Sequence, residues 1–206
     1  VVSGLVFTEG FLTDGALGQM MEKVAFKEYD PTAHKIPKPW ATTGKPPSRP
    51  PNVITTLNMQ SEQMEEVNKR LQAKYADIQE HEVRYELLDA DDAEYLVVAY
   101  GLMARVAHRA AELVRAKGHE VGLLRPITLW PYPGEILRSL APRLQGILVV
   151  EMNAGQMVED VRLSVEGRTP VSFYGRMGGI IPSPDEIAGA LERMITTTVA
   201  HPVEAN

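Results

Sequence analysis

The sequence predicts an α/β protein with a mainly parallel, doubly wound sheet, preceded by a proline-rich strap and a helix. Three observations predict it. Short apolar, β-branched runs recur at Tyr95–Tyr100, Val121–Arg125, Ile147–Met152 and Val171–Tyr174; such runs suit strands buried on both faces. Between them lie segments with apolar residues every three or four positions, the spacing of amphipathic helices. Glycine or proline marks nearly every change of period. Strands alternating with helices require right-handed crossovers, and these place helices on both faces of one sheet.

Taken in order, Val1–Phe7 is apolar and β-branched, consistent with a first strand. From Asp30 to Asn52, prolines stand at positions 31, 37, 39, 46, 47, 50 and 51. Proline fixes φ and removes a donor, so this stretch is an extended strap. Trp40 within it is expected to pin the strap to another surface. Met59–Gln79 has Met64, Val67, Leu71, Tyr75 and Ile78 along a narrow apolar stripe, a helix that packs on one side or crosses to a partner. Val83–Leu88 has the mixed alternation of an edge strand.

Gly101 then turns the strand Tyr95–Tyr100 into a helix with Met103, Val106, Ala107, Ala110, Leu113, Val114 and Lys117 on one face, stopped at Gly118. Pro126 ends the next strand, and a short helix is expected over Glu135–Leu144 despite Pro142. After Ile147–Met152, the turn Asn153-Ala154-Gly155-Gln156 opens a helix carrying Met157, Val158, Val161 and Val165, with Gly167 as its stop. Pro170 precedes the strand Val171–Tyr174. Ser183-Pro184-Asp185-Glu186 combines a capping box with a proline at the first helical position. Ile187, Ala190, Leu191, Met194 and Ile195 form that helix's inner face, and the tail beyond Ile195 is expected to fray. The chain thus divides into residues 1–29, 30–82 and 83–206.

With 206 residues and ordinary apolar and charged fractions, the chain can bury a proper core. A net charge of −6 and the lack of a basic run with aromatics argue against a nucleic-acid surface. There is no cysteine, which excludes a thiolate nucleophile and cysteine-ligated clusters on this chain. No apolar run has membrane-spanning length, and a cytoplasmic location is expected. The first residue is Val1, as in a processed chain or a fragment.

The candidate site lies at the carboxyl edge of the sheet, where ligands of open α/β folds bind. At the turn Asn153–Gln156 the N–H groups of the following helix are available to an anion or a partner's side chain. The plainer reading is that Gly155 only lets the chain turn. Gly18-Gln19-Met20-Met21-Glu22 repeats Gly155-Gln156-Met157-Val158-Glu159 at four of five positions, and Gly18 and Gln19 are candidates on that ground. Two loops add arginines, Arg125 ahead of Trp130-Pro131-Tyr132-Pro133 and Arg176 ahead of Gly178-Gly179. Arginine suits carboxylate or phosphate; alternatively these two pair with Glu151 or Asp160, and Trp130 and Tyr132 cap a core or an interface. There is no dinucleotide fingerprint, phosphate loop or Gly-x-Ser-x-Gly elbow. The five histidines are scattered, His108 being read as a solvated surface residue. Neither a metal set nor a catalytic residue is assigned.

Three motifs in order carry a resemblance. They are Asp14-Gly15-Ala16-Leu17-Gly18-Gln19-Met20-Met21-Glu22, Leu124-Arg125-Pro126-Ile127-Thr128-Leu129-Trp130-Pro131, and Glu151-Met152-Asn153-Ala154-Gly155-Gln156-Met157-Val158-Glu159-Asp160-Val161-Arg162. Together they resemble the alpha subunit of 2-oxoacid:ferredoxin oxidoreductases. Trp40-Ala41-Thr42-Thr43-Gly44 and Pro51-Asn52-Val53-Ile54 are closer to the 2-oxoisovalerate (branched-chain) type than to the 2-oxoglutarate type. The resemblance implies oxidative decarboxylation of a 2-oxoacid with coenzyme A to acyl-CoA and carbon dioxide, with reduction of ferredoxin. It implies thiamine diphosphate and magnesium mostly on a partner subunit, iron–sulfur clusters on partner subunits, and none of these on this chain alone. By the same resemblance, residues 1–29 are the end of a pyrimidine-side thiamine domain and residues 83–206 a transketolase C-terminal-like domain. The implied partners are the other subunits and, through the complex, ferredoxin and coenzyme A, with the isolated chain inactive. Two other roles fit the residues less fully: a scaffold module without a ligand, and a subunit of a thiamine-dependent dehydrogenase or transketolase-type enzyme.

Overall fold

The structure is a computed structural model describing residues 44, 45, 47–53 and 57–200. The expected first strand, Gly18, Gln19, Trp40 and most of the strap lie outside the described residues. The chain divides into a smaller unit ending at Ala76 and a larger one resuming at Asp77. Helix α1, Ser61–His81, crosses that division and has no buried residue. Lys69 on its surface pairs with Glu65 and Glu66 at distances of 3.5 and 3.0 Å.

The larger unit holds a five-stranded sheet in the order β1-β3-β2-β4-β5. The strands are β1 (Tyr85–Leu88), β2 (Tyr95–Ala99), β3 (Val121–Pro126), β4 (Gly146–Glu151) and β5 (Val171–Gly175). Only β1 is antiparallel to its neighbour, as Tyr85 lies opposite Pro126 and Leu88 opposite Leu123. The rest is parallel, with Val97 beside both Leu123 and Leu148, and Val149 beside Phe173. β2 and β4 are buried along their whole length, the expected state of continuous apolar runs in a parallel sheet.

Alternation along the strands sorts the core into two layers. Val97, Ala99, Leu123, Leu148 and Val150 pack against helix α2 (Gly101–Arg115) and the last helix, α5 (Pro184–Ala200). Leu96, Val98, Leu124, Ile147 and Val149 pack against α3 (Gly134–Leu140) and α4 (Met157–Val165). Helices therefore cover both faces, and the doubly wound expectation holds.

This topology positions the site. The β2–β3 connection runs through α2 on one face. The β3–β4 connection runs through α3 on the other and passes over β2. The winding thus reverses between β2 and β4, the switch point at whose carboxyl side ligands of open α/β sheets bind.

Of the boundaries that differ from expectation, two lie in the α/β unit's helices. The short helix ends at Leu140, and Ala141–Arg143 form a 3-10 turn with Pro142 at its start, because proline cannot supply the N–H that an α-helix would need. The last helix does not fray after Ile195 but continues to Ala200; Thr196, Thr197 and Thr198 each bond back to the carbonyl four residues earlier. Its start is as expected. The Ser183 N–H donates to Glu186 Oε2 at 2.8 Å, and the Glu186 N–H donates to Ser183 Oγ at 3.2 Å.

The Ser183 backbone bond, and then Arg176, hold the Glu186 carboxyl below its ordinary value of 4.5. A lowered folded-state value contributes stability above the unfolded value, and that stability is lost as pH falls through the folded one. Glu186→Gln should therefore melt below the parent at neutral pH, with the gap closing as pH drops beneath 4.5. Melting curves across pH check this; a gap independent of pH would sink it.

Candidate functional site

The last residue of β4 is a glutamate. Period-two alternation puts Glu151 on the same face as Ile147 and Val149, directed at the start of α4. It is fully buried. Its Oε2 accepts the Met157 N–H at 2.9 Å and Asn153 Nδ2 at 3.0 Å, and its Oε1 accepts the Val158 N–H at 3.0 Å. The Gln156 N–H lies 3.3 Å from both oxygens. Asn153 Oδ1 accepts the Gly155 N–H at 2.7 Å. One carboxylate thus gathers the unpaired N–H groups of the helix start, and its charge suits the positive end of the helix dipole.

This corrects the expectation that the turn offers free N–H groups to an anion. Glu151 already occupies that position. Gly155 stands at φ 108°, and a Cβ there would meet Val158 Cγ1 at 3.2 Å. Glycine is required by backbone conformation, so valine at this position would strain the turn itself. Ala154 and Gln156 are exposed.

Each loop arginine is paired with a carboxylate. Arg125 Nη1 is 2.8 Å from Glu86 Oε2, across the β1–β3 pairing. Arg176 Nη1 is 2.5 Å from Glu186 Oε1. The ion-pair reading holds in kind, but the partners are not Glu151 or Asp160. Asn153, Gly155 and Gln156 cluster at the switch point; Arg125 serves the β1 edge and Arg176 the start of α5. Trp130 is 55% exposed, so it does not cap a core in this unit, whereas the Tyr132 ring packs against the α3–α4 layer. His108 is partly buried, 3.7 Å from Asp89, and not a free surface residue. No group of three or more His, Asp or Glu side chains that could hold a metal occurs among the described residues.

Sequence reasoning missed two residues of the site. Glu151 carried a signal: it is a carboxylate closing an otherwise wholly apolar strand. Gly175 carried less. A Cβ there would lie 2.4 Å from the Asn153 carbonyl oxygen and 2.5 Å from Phe173 Cζ, so the end of β5 approaches the turn as only glycine allows. The Arg176 N–H donates to the Glu151 carbonyl at 3.2 Å beside it. At the end of β2, burial and then the Glu151 charge push the Tyr100 hydroxyl up, partly offset by Asn153.

The fold and this edge define an α/β core domain with a carboxylate-locked turn at its switch point. Residues 93–187 match the family model of pyruvate:ferredoxin oxidoreductase core domain II. The ketoisovalerate oxidoreductase subunit VorB of Methanothermobacter thermautotrophicus is 45% identical over 168 residues, which is 82% of this chain and 47% of that protein. The 2-oxoglutarate synthase subunit KorA of Methanothermobacter marburgensis is 36% identical over 104 residues, 50% of this chain and 28% of that one. The structure of 2-oxoglutarate:ferredoxin oxidoreductase from Magnetococcus marinus, with 2-oxoglutarate, coenzyme A and succinyl-CoA bound, shares the fold. Its TM-score is 0.59 at 21% identity, covering 67% of this chain and 24% of that one. The resemblance read from the sequence is borne out: the chain carries core domain II of the 2-oxoacid:ferredoxin oxidoreductases. It spans about half the length of the ketoisovalerate oxidoreductase subunit that it matches.

Removing the Glu151 carboxylate strands several buried N–H groups, each costing about 1–3 kcal/mol. Glu151→Ala should lower unfolding free energy by at least about 3 kcal/mol by the same reckoning, read by urea titration. Gly175→Ala should also destabilise, through its clash with the Asn153 carbonyl. If either variant unfolds at the parent's midpoint, this packing at the switch point is wrong.

Proposed function

We propose that this chain is part of the alpha subunit of a 2-oxoacid:ferredoxin oxidoreductase of the 2-oxoisovalerate type. The complex would convert a branched-chain 2-oxoacid and coenzyme A to acyl-CoA and carbon dioxide and pass electrons to ferredoxin. The similarity to VorB over most of this chain favours this substrate class over 2-oxoglutarate. The residue divisions 1–29, 30–82 and 83–206, with a partial pyrimidine-side domain first, belong to the same proposal, as does a cytoplasmic location. Among the described residues no helix is long and apolar enough to cross a membrane.

One observation carries the role assigned to this domain. The turn at the switch point is locked from within, so its contribution is shape and contact. Its N–H groups are held by Glu151, and the loop arginines are held by Glu86 and Glu186. These residues do not fit a cradle for the diphosphate of thiamine or for its magnesium. We therefore assign thiamine diphosphate, magnesium and the iron–sulfur clusters to partner subunits, where the cofactors supply the carbanion and electron-transfer chemistry. The exposed Ala154 and Gln156 face the partner or coenzyme edge.

The test uses the assembled oxidoreductase. Ala154→Glu should leave the melting temperature of this chain within roughly 2 °C, as exposed substitutions do. It should nevertheless weaken subunit pull-down or coenzyme A-dependent turnover by about tenfold, a loss of about 1.4 kcal/mol. Unchanged assembly and turnover would remove the turn from the interface. The isolated chain should show no 2-oxoacid oxidation with thiamine diphosphate, coenzyme A and an electron acceptor supplied. Turnover by the chain alone would refute the placement of cofactors on partners.

A further inference from the structure

The last strand of the sheet has an open side. The Ile147 N–H donates to the Pro170 carbonyl at 2.9 Å, and the Arg176 N–H donates to the Glu151 carbonyl at 3.2 Å. Because β5 is parallel to β4, this register turns the backbone groups of Ser172 and Tyr174 toward β4. The N–H and C=O groups of Val171, Phe173 and Gly175 therefore point away from the sheet. Among the described residues no strand lies beyond β5.

Edge strands are commonly blunted by a charge or a proline. Residues 171–175 read Val-Ser-Phe-Tyr-Gly and contain neither. β1, at the other edge, carries Glu86. Beside β5, on the face that α5 covers, lies an open groove of about 370 Å³, lined by Ser172, Tyr174, Arg193, Met194 and Thr197. Arg125, Arg162, Arg168 and Arg176 each meet a carboxylate. The exposed Arg193 guanidinium meets none among the described residues.

Topology and charge select what fits this edge. The β3–β4 and β4–β5 connections step toward it with α3 and α4 on one face, and β2–β3 steps away with α2 on the other. α5 shares the face of α2. A parallel strand that followed α5 and lay beyond β5 would need a left-handed crossover, which sheets almost never contain. A second copy, paired antiparallel through its own β5, would set its α5 on the same face and turn its Arg193 toward the first, like charge facing like.

We propose that the free edge of β5 takes an extended, acidic segment of another chain as a sixth strand, with a carboxylate seated on Arg193. Main-chain bonds to Val171, Phe173 and Gly175 would hold the segment, and alternate side chains would enter the groove beside Ser172 and Tyr174. The carboxylate supplies the countercharge that Arg193 lacks, and so sets which segment is accepted. This inference does not rest on the proposed reaction.

Amide exchange, followed by NMR on the full chain with and without a probe peptide, tests it. The probe is a heptapeptide of alternating valine and threonine with a central glutamate. One control carries lysine at the centre, and another is N-methylated throughout. In the chain alone, the amides of Val171, Phe173 and Gly175 should exchange fast and those of Ser172 and Tyr174 slowly. The glutamate probe should slow the first three, and the N-methylated control should not. Arg193→Glu, at an exposed position, should weaken the glutamate probe about fivefold and favour the lysine probe by a similar factor. No protection at millimolar probe, or equal affinity of parent and variant for both probes, would overturn the proposal. Slow exchange at all five amides in the monomeric chain alone would mean that the chain covers its own edge. Protection that appears only with dimerisation would mean that a second copy does. Either result overturns it as well.

Discussion

Everything at the switch point depends on a carboxylate buried at the head of a helix. Taking a lone carboxylate out of water costs several kcal/mol even after relaxation. Charge-assisted hydrogen bonds each return about 1.5–3 kcal/mol, and Glu151 receives them from Gln156, Met157, Val158 and Asn153. The returns are large enough to offset the burial, and the helix dipole adds to them. Glutamine, neutral and of the same size, would keep one acceptor oxygen and turn a donor NH₂ toward the remaining N–H groups. The charge is therefore required by the turn that surrounds it.

That requirement propagates through neighbouring residues. Asn153 bonds Glu151 with its amide and the Gly155 N–H with its oxygen, so the turn is held at two points. Gly155 must take the positive φ this geometry imposes, and Gly175 must leave room for the Asn153 carbonyl. The Arg176 N–H reaches the Glu151 carbonyl, and the Arg176 side chain reaches Glu186 in the cap of α5. A chain of contacts thus runs from the end of β4, through the end of β5, to the start of the last helix. An anion-binding corner would need the opposite arrangement, with N–H groups and arginines left open.

The architecture was legible in the sequence because period and composition are local properties. β2, β3, β4 and β5, both long helices of the α/β unit and the capping box at Ser183 fall where the spacing put them. Val83–Leu88 was legible as an edge strand for the same reason. Partners across the sheet were not legible. Nothing in the spacing of Arg125 selects Glu86, since that pairing follows from β1 lying antiparallel beside β3. The N–H groups after Gly155 looked open because a helix start is open by default. Only the alternation along β4 places Glu151 beneath it. Glycine at 175 reads as an ordinary strand end until the Asn153 carbonyl is seen against it.

The family match and the geometry constrain each other. Residues 93–187 carry the core domain II signature, and they contain β2, β3, β4, β5 and the switch-point turn. The motif Glu151-Met152-Asn153-Ala154-Gly155-Gln156 within that span reads as a folding unit: an acceptor, a two-way amide and a glycine that closes the turn. Its outward residues are Ala154 and Gln156, one small and one able both to donate and to accept. A rigid, neutral projection at a switch point discriminates by shape and hydrogen bonding. It does not attract by charge, and the acidic neighbours Glu151, Glu159 and Asp160 disfavour an approaching carboxylate or phosphate. Among the described residues, a turn with its N–H groups filled and acidic neighbours is a poorer seat for a free anion than an open helix start.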